Sequence, residues 1–105
     1  MAQTITDQNI AQLCGEGKPL LIDFWATWCG PCKRMAPVIE QLAQDYEGRA
    51  LVGKCDVEDN EDLATQYQVT SIPTIVVLDT QGKVSTRLVG VQPKAKLEEE
   101  LNKLL

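Results

Sequence analysis

Apolar residues fall along this chain in two textures: short, nearly continuous runs, and stretches where they recur every three or four positions. Leu20-Leu21-Ile22-Asp23-Phe24-Trp25-Ala26 is a run of strand length, continuous enough for a central strand covered on both faces. Thr74-Ile75-Val76-Val77-Leu78 repeats that texture, and Ala50 to Val57 has strand character too. Met35, Val38, Ile39, Leu42, Ala43 and Tyr46 instead sit at helical spacing, with Gly48 closing the helix and Pro37 inside it expected to bend it. An earlier helix is expected to start at Thr6, which can cap, between the staple pair Ile5 and Ile10. Ile10, Leu13 and Cys14 share its face, and Gly15-Glu16-Gly17 stops it. A short helix is predicted from Asn60 to Tyr67. Thr80-Gln81-Gly82-Lys83 then turns the Thr74–Leu78 strand into Val84 to Val89, the one clear hairpin. Pro93 suits the opening of a last helix, with Leu97, Leu101 and Leu104 as its buried stripe.

With a short strand before Thr6 the order is βαβαβαββα. Strand–helix alternation implies parallel pairing and the closing hairpin adds antiparallel strands, so the fold class is α/β with a mixed sheet. No repeat, low-complexity tract or linker interrupts the pattern, which predicts one domain over residues 1–105. A chain of 105 residues buries enough surface to fold without disulfide staples or a structural metal.

Hydrophobic residues at 44% and charged residues at 24% set disorder aside. No apolar run approaches the ~18 residues of a membrane span, and the first residues lack the basic and apolar parts of a secretion signal. No membrane association and a cytoplasmic address are the expectations. A net charge of −5 argues against nucleic acid as a partner. Its acidic concentration, Asp56, Glu58, Asp59, Glu61 and Asp62, fits the negative charge favoured at a helix amino terminus. Histidine is absent, which removes imidazole bases and histidine-liganded zinc together.

Four cysteines remain, Cys14, Cys29, Cys32 and Cys55, and in a reducing compartment they point to redox or metal chemistry rather than structural staples. A C-x-x-C spacing arises by chance in about one shuffled sequence in ten, so its setting decides. Cys29-Gly30-Pro31-Cys32 comes directly after a buried strand and opens an amphipathic helix. Cys29 takes the cap position, where helix N–H groups and dipole favour a thiolate, and is the expected nucleophile. Cys32, one turn in and expected to be the more buried, is the resolving thiol. Pro31 fits the first turn, where its missing N–H costs nothing, and neither Gly30 nor Pro31 adds a cation that would favour oxidising chemistry. Asp23 interrupts the apolar strand six residues earlier. A buried acid there, its pKa raised by desolvation, is placed to exchange a proton with Cys32. Ile72-Pro73 precedes a strand, and local sequence alone favours a trans bond there.

The segment Trp25-Ala26-Thr27-Trp28-Cys29-Gly30-Pro31-Cys32-Lys33, together with Asp23, Lys54, Ile72-Pro73-Thr74, Gly82 and Gly90, closely resembles the thioredoxin family, in order over essentially the whole chain. The resemblance implies the thioredoxin fold, a central mixed five-stranded sheet flanked by four helices. It also implies a cis bond before Pro73, which with Trp25, Gly30 and Pro31 would shape the site. Trp28, Ile72, Pro73, Gly90 and Val91 would line a groove for an extended substrate segment, and Lys54 would be the partner of Asp23. A lowered cysteine pKa and reducing potential are family properties. The implied activity is protein-disulfide reduction by a monomer with no bound cofactor beyond a redox-active Cys29–Cys32 disulfide. A thioredoxin reductase, which carries the FAD and uses NADPH, would return it to the dithiol, and disulfide-containing proteins would be its substrates. Thr27, Thr70 and Val91 depart from common family usage and bear on partner preference.

Three alternatives stay open at this level. The pair can serve an oxidase or isomerase with a higher reduction potential. All four cysteines can bind zinc, although Cys14 and Cys55 belong to no second C-x-x-C. The chain can also act as a binding module without turnover. Cys14 and Cys55 themselves read most simply as half-buried or buried structural thiols.

Overall fold

The computed structural model describes all 105 residues. In chain order the elements are β1 (Gln3–Thr4), α1 (Ile10–Cys14), β2 (Leu20–Trp25), α2 (Gly30–Asp45), β3 (Leu51–Asp56), α3 (Glu61–Gln66), β4 (Thr74–Leu78), β5 (Val84–Val89) and α4 (Lys94–Asn102). The five strands form one sheet in the order β1-β3-β2-β4-β5. β2, the most apolar run, lies at its centre, paired parallel to β3 and antiparallel to β4.

The residues of β2 divide between two cores, as strand alternation requires. Leu20, Ile22 and Phe24 join Leu13, Cys55 and Leu63 on the α1 and α3 side. Leu21 joins Met35, Ile39, Leu42, Leu97 and Leu101 on the α2 and α4 side. Each fully buried Leu, Ile or Phe contributes about 1.5–3 kcal/mol of transfer free energy, so the two layers hold the sheet from both faces. Gly53 is required by close approach: a Cβ there would come within 2.7 Å of the Gln3 carbonyl oxygen and the Ile5 side chain, which lets β1 lie against β3.

Alternation alone predicts β4 parallel to its neighbour, with antiparallel pairing only in the hairpin; in the structure β4 already runs antiparallel to β2. Only Glu61–Gln66 of the connecting residues 57–73 are helical, and the connection returns to the sheet at the end where it left it. The consequence is functional. The ends of β2, β3 and β5 and the start of β4 meet at one edge of the sheet, where Phe24 pairs with Thr74 and Thr74 with Val89.

The first helix also starts later than expected, at Ile10 rather than beside Thr6. Thr6 and Asn9 bond each other reciprocally: the Asn9 N–H donates to Thr6 Oγ1 at 3.1 Å and the Thr6 N–H to Asn9 Oδ1 at 2.8 Å. That pair satisfies the donors of a preceding turn, in the manner of a capping box. α2 continues through Pro37 as one helix.

Candidate active site

At the shared edge β2 gives way to α2, and Cys29 occupies the N-cap in extended conformation, φ −90° and ψ 107°. The Cys32 N–H donates to Cys29 Sγ at 3.2 Å, so a backbone donor left over at the helix start is aimed at that sulfur. Pro31, in the first turn, has no N–H to leave unpaired. Cys29 and Cys32 are joined as a disulfide. Both are buried, at 5% and 3% exposure, Cys32 the slightly more so. Beside them Trp28 stands 67% exposed.

The facing wall is the segment before β4. The Ile72–Pro73 peptide is cis, and the Ile72 carbonyl oxygen lies 3.9 Å from Cys29 Sγ. The Thr74 hydroxyl donates to the Ser71 carbonyl at 2.6 Å, and the Gly90 N–H donates to the Pro73 carbonyl at 2.8 Å. Gly90 has φ +92°, a left-handed conformation that a side chain would strain. The next turn is tied to α2 by the Gln92 N–H, 3.1 Å from Met35 Sδ, and leaves Val91 exposed. Trp28, Val57, Val69, Thr70, Ser71 and Ile72 enclose an open depression of about 360 Å³ next to the cysteines.

Behind the disulfide lies a second space. Asp23, Trp25, Cys32, Lys33, Ala36, Ile39, Glu40 and Lys54 line a cavity of about 90 Å³, with room for a few water molecules. Asp23 is 3% exposed and its Oδ1 has no hydrogen-bond partner in the protein. Burial pushes its pKa up to about 7, against the opposing pull of Lys54. Lys54 sits opposite Asp23 in the β2–β3 register. No ion pair closes between them; the ammonium lies 5.5 Å from the centroid of the Trp25 ring instead. A hidden acid beside a sulfur, with room for water, can take up and release a proton near neutral pH.

A family model described as Thioredoxin matches residues 2–103. The chain belongs to the thioredoxin family. Thioredoxins of Staphylococcus aureus strains Mu50 and MW2 are each 54% identical to it over 85 residues, 81% of either chain. Among solved structures, a point-mutant thioredoxin from Halobacterium salinarum superposes with TM-score 0.88 at 31% identity, covering 98% of this chain and 89% of that one. A chain solved in work on the thiol resolving mechanism of yeast mitochondrial 1-Cys peroxiredoxin, via glutathione and thioredoxin systems, matches with TM-score 0.84 at 33% identity, covering 98% and 95%. Mixed sheet, four helices and Cys29–Cys32 disulfide together make this chain a thiol–disulfide oxidoreductase of the thioredoxin fold.

The other two cysteines lie apart from the Cys29–Cys32 pair. Cys55 lies fully buried in the α1 and α3 core, where burial, with Asp7 and Asp56 nearby, pushes its thiol up to about 12. Burial raises the half-buried Cys14 as well. Thiols held neutral this way are poor nucleophiles. No three Cys, Asp or Glu side chains converge as a metal site would require, and Cys14 and Cys55 pack on the far core from Asp23. No helix is long and apolar enough to cross a membrane.

The acidic stretch divides on inspection. Glu61 and Asp62 fill the first turn of α3, but the carboxylate that caps the helix is Asp7, accepting from the Leu63 N–H at 2.9 Å. Asp7 carries no local signal, since its partner is 56 positions away. Glu40 is different: it comes after Cys32 and Ala36 at four-residue steps, so helical spacing already places it on the stripe facing the cavity. Its Oε1 accepts from the Ala2 N–H at 3.0 Å, which ties the amino terminus to α2.

Proposed function

We propose that this oxidoreductase works as a protein-disulfide reductase in the cytoplasm, as a monomeric single domain recharged by an NADPH-linked flavoprotein thioredoxin reductase. The observation that carries the reading is the Cys29–Cys32 disulfide at the start of α2 with the unpartnered carboxyl of Asp23 sharing a cavity with Cys32. Family membership supports disulfide substrates and a reductase partner of this kind.

In the reduced form Cys29 is the nucleophile. Bringing a thiol pKa from about 8.5 to about 7 takes about 2 kcal/mol, within reach of a partly buried helix amino terminus. The Cys29 thiolate attacks one sulfur of a substrate disulfide. A Cys29–substrate bond forms, the substrate S–S bond breaks, and the departing thiolate collects a proton. Cys32 then passes its proton to the Asp23 carboxylate, with Lys54 steadying the charge, and attacks Cys29 Sγ. The intramolecular disulfide forms, the Cys29–substrate bond breaks, the second substrate sulfur leaves as a thiolate that takes up a proton, and two electrons have moved from the chain to the substrate. Trp28, Ile72, Pro73, Gly90 and Val91 hold the substrate segment in extended form, while Trp25, Gly30 and Pro31 shape the site.

The decisive test is Cys32→Ser, which removes the second step and leaves the first. Incubated with insulin as the protein disulfide, this variant is expected to accumulate a covalent adduct at Cys29, visible by mass spectrometry and released by dithiothreitol. The unmodified protein should turn over with NADPH and a thioredoxin reductase. An adduct at Cys14 or Cys55 instead, or none at all, overturns the assignment.

A further inference from the structure

Helix α3 ends in a conformation its sequence does not favour. Gln68 has φ +55°, the left-handed region that glycine or asparagine normally occupies after a helix. The Gln68 N–H donates to the Thr65 carbonyl at 3.1 Å and the Val69 N–H to the Ala64 carbonyl at 2.8 Å, a closed helix end that requires that conformation. The outward carbonyls of Tyr67 and Gln68 remain, and both are taken by one side chain from across the fold. Arg87 on β5 donates from Nε to Tyr67 at 3.2 Å and from its second guanidinium nitrogen to Gln68. A planar guanidinium suits two neighbouring acceptors at once, and its charge suits the negative end of a helix.

Directly after Gln68 the chain forms the wall of the depression beside the cysteines: Val69, Thr70, Ser71 and Ile72. That wall is fastened at its far end by the Thr74 hydroxyl on Ser71. Its near end is held by the Val69 bond to Ala64 and by the Arg87 clasp. Between the two ties Thr70 is exposed, and so is Ser71 at the far tie.

We infer that Arg87 is a positioning residue for substrate recognition: by clasping the Tyr67 and Gln68 carbonyls it sets the Val69–Ile72 wall against which a protein disulfide docks. The inference rests on the reductase reading above. Arg87 touches neither sulfur, so it governs docking of a polypeptide and leaves the exchange chemistry alone.

The test is Arg87→Ala, assayed with insulin and with bis(2-hydroxyethyl) disulfide, dithiothreitol supplying the electrons. KM for insulin should rise about fivefold, the size of one net hydrogen bond, with kcat within about twofold and the rate on the small disulfide unchanged. Exchange of the Val69 amide should quicken, because its bond to Ala64 depends on the left-handed residue before it. Adding Gln68→Gly to Arg87→Ala should restore the insulin KM, since glycine holds that conformation without help. Equal losses on both disulfides, an unmoved insulin KM or an unaltered Val69 exchange rate would each overturn the inference. An unmodified chain that leaves insulin intact would sink the reductase reading and this inference with it; an active chain indifferent to Arg87 would sink the inference alone.

Discussion

Two carboxylates are almost hidden from solvent in this molecule, Asp23 on the central strand at 3% exposure and Glu100 on the last helix at 5%. Glu100 is covered by its own helix: Lys103 Nζ lies 2.9 Å and Lys96 Nζ 3.2 Å from its Oε2. Hydrogen bonds from those two ammonium groups hold its pKa below the ordinary value. Asp23 is enclosed by strands and by α2, with no donor on Oδ1, and its pKa rises to about 7. Similar exposure thus produces opposite shifts, because two lysines bond Glu100 directly, whereas at Asp23 burial outweighs the pull of a Lys54 that closes no ion pair with it. A buried acid without a partner costs stability, and this one lies behind the cysteine that must lose a proton.

The largest expected effect comes from Asp23→Asn, which removes the charge and keeps the shape. The folded carboxyl holds its proton up to about pH 7, whereas the unfolded one releases it near 3.9, so folding takes up a proton between those values. Stability present below about pH 4 is therefore lost as pH rises to about 7 and stays lost above it. Three pH units correspond to about 4 kcal/mol, and the variant should recover about 2–4 kcal/mol at pH 8 while gaining little at pH 4. Denaturant midpoints of the oxidised protein at the two pH values measure this, and an equal gain at both would contradict it. The same variant should slow resolution of mixed disulfides, with its pH dependence between 6 and 9 flattened. Stability gained and catalysis lost in one substitution would set Asp23 apart from Glu100.

How far this arrangement can be read from sequence depends on how far apart the interacting residues lie. The β2 run and the stripe of Leu97 and Leu101 declare themselves, because burial on both faces or on one face leaves a local period. Asp23 stands out because it interrupts that run, and Cys29 and Cys32 because their spacing opens the helix that follows it. The direction of β4 is hidden, since it turns on the path of the whole connection over residues 57–73, which leaves no local period. Arg87 and Asp7 are hidden too: their partners lie about 20 and 56 positions away and are backbone groups that any residue would present. Lys54 is tied to Asp23 only through the family resemblance, and its lean onto Trp25, which depends on both side chains sharing one face, has no local signal at all.

A second substitution tests the comparison from the other side. Lys54→Met removes the one charge that opposes the upward push on Asp23 and keeps the side-chain volume. The carboxyl should then titrate about one unit higher, and the pH-dependent loss of stability should extend by the same amount. Carbon-13 NMR of the Asp23 carboxyl reads the shift directly. If its midpoint stays where it is in the unmodified protein, burial alone sets the value, and the Lys54 ammonium, leaning on Trp25 at 5.5 Å, contributes nothing to it.

The smallest effect belongs to Glu100→Gln, and its sign should be reversed. The change removes two ion pairs whose lysine ends, Lys96 and Lys103, stand in solvent, where water and salt screen their charge, so Tm should fall by only about 1–3 °C. The difference should shrink further in about 0.5 M NaCl, as screened surface charges require. Because its folded pKa is depressed, the stability Glu100 contributes is present above about pH 4.5 and lost as pH falls through the lower folded value. Between pH 5 and 8 the variant and its parent should therefore run parallel, the same window in which Asp23→Asn makes the curves diverge. A divergence in that window for Glu100→Gln would mean that the lysines do not fully compensate it, and that its resemblance to Asp23 goes deeper than shared burial.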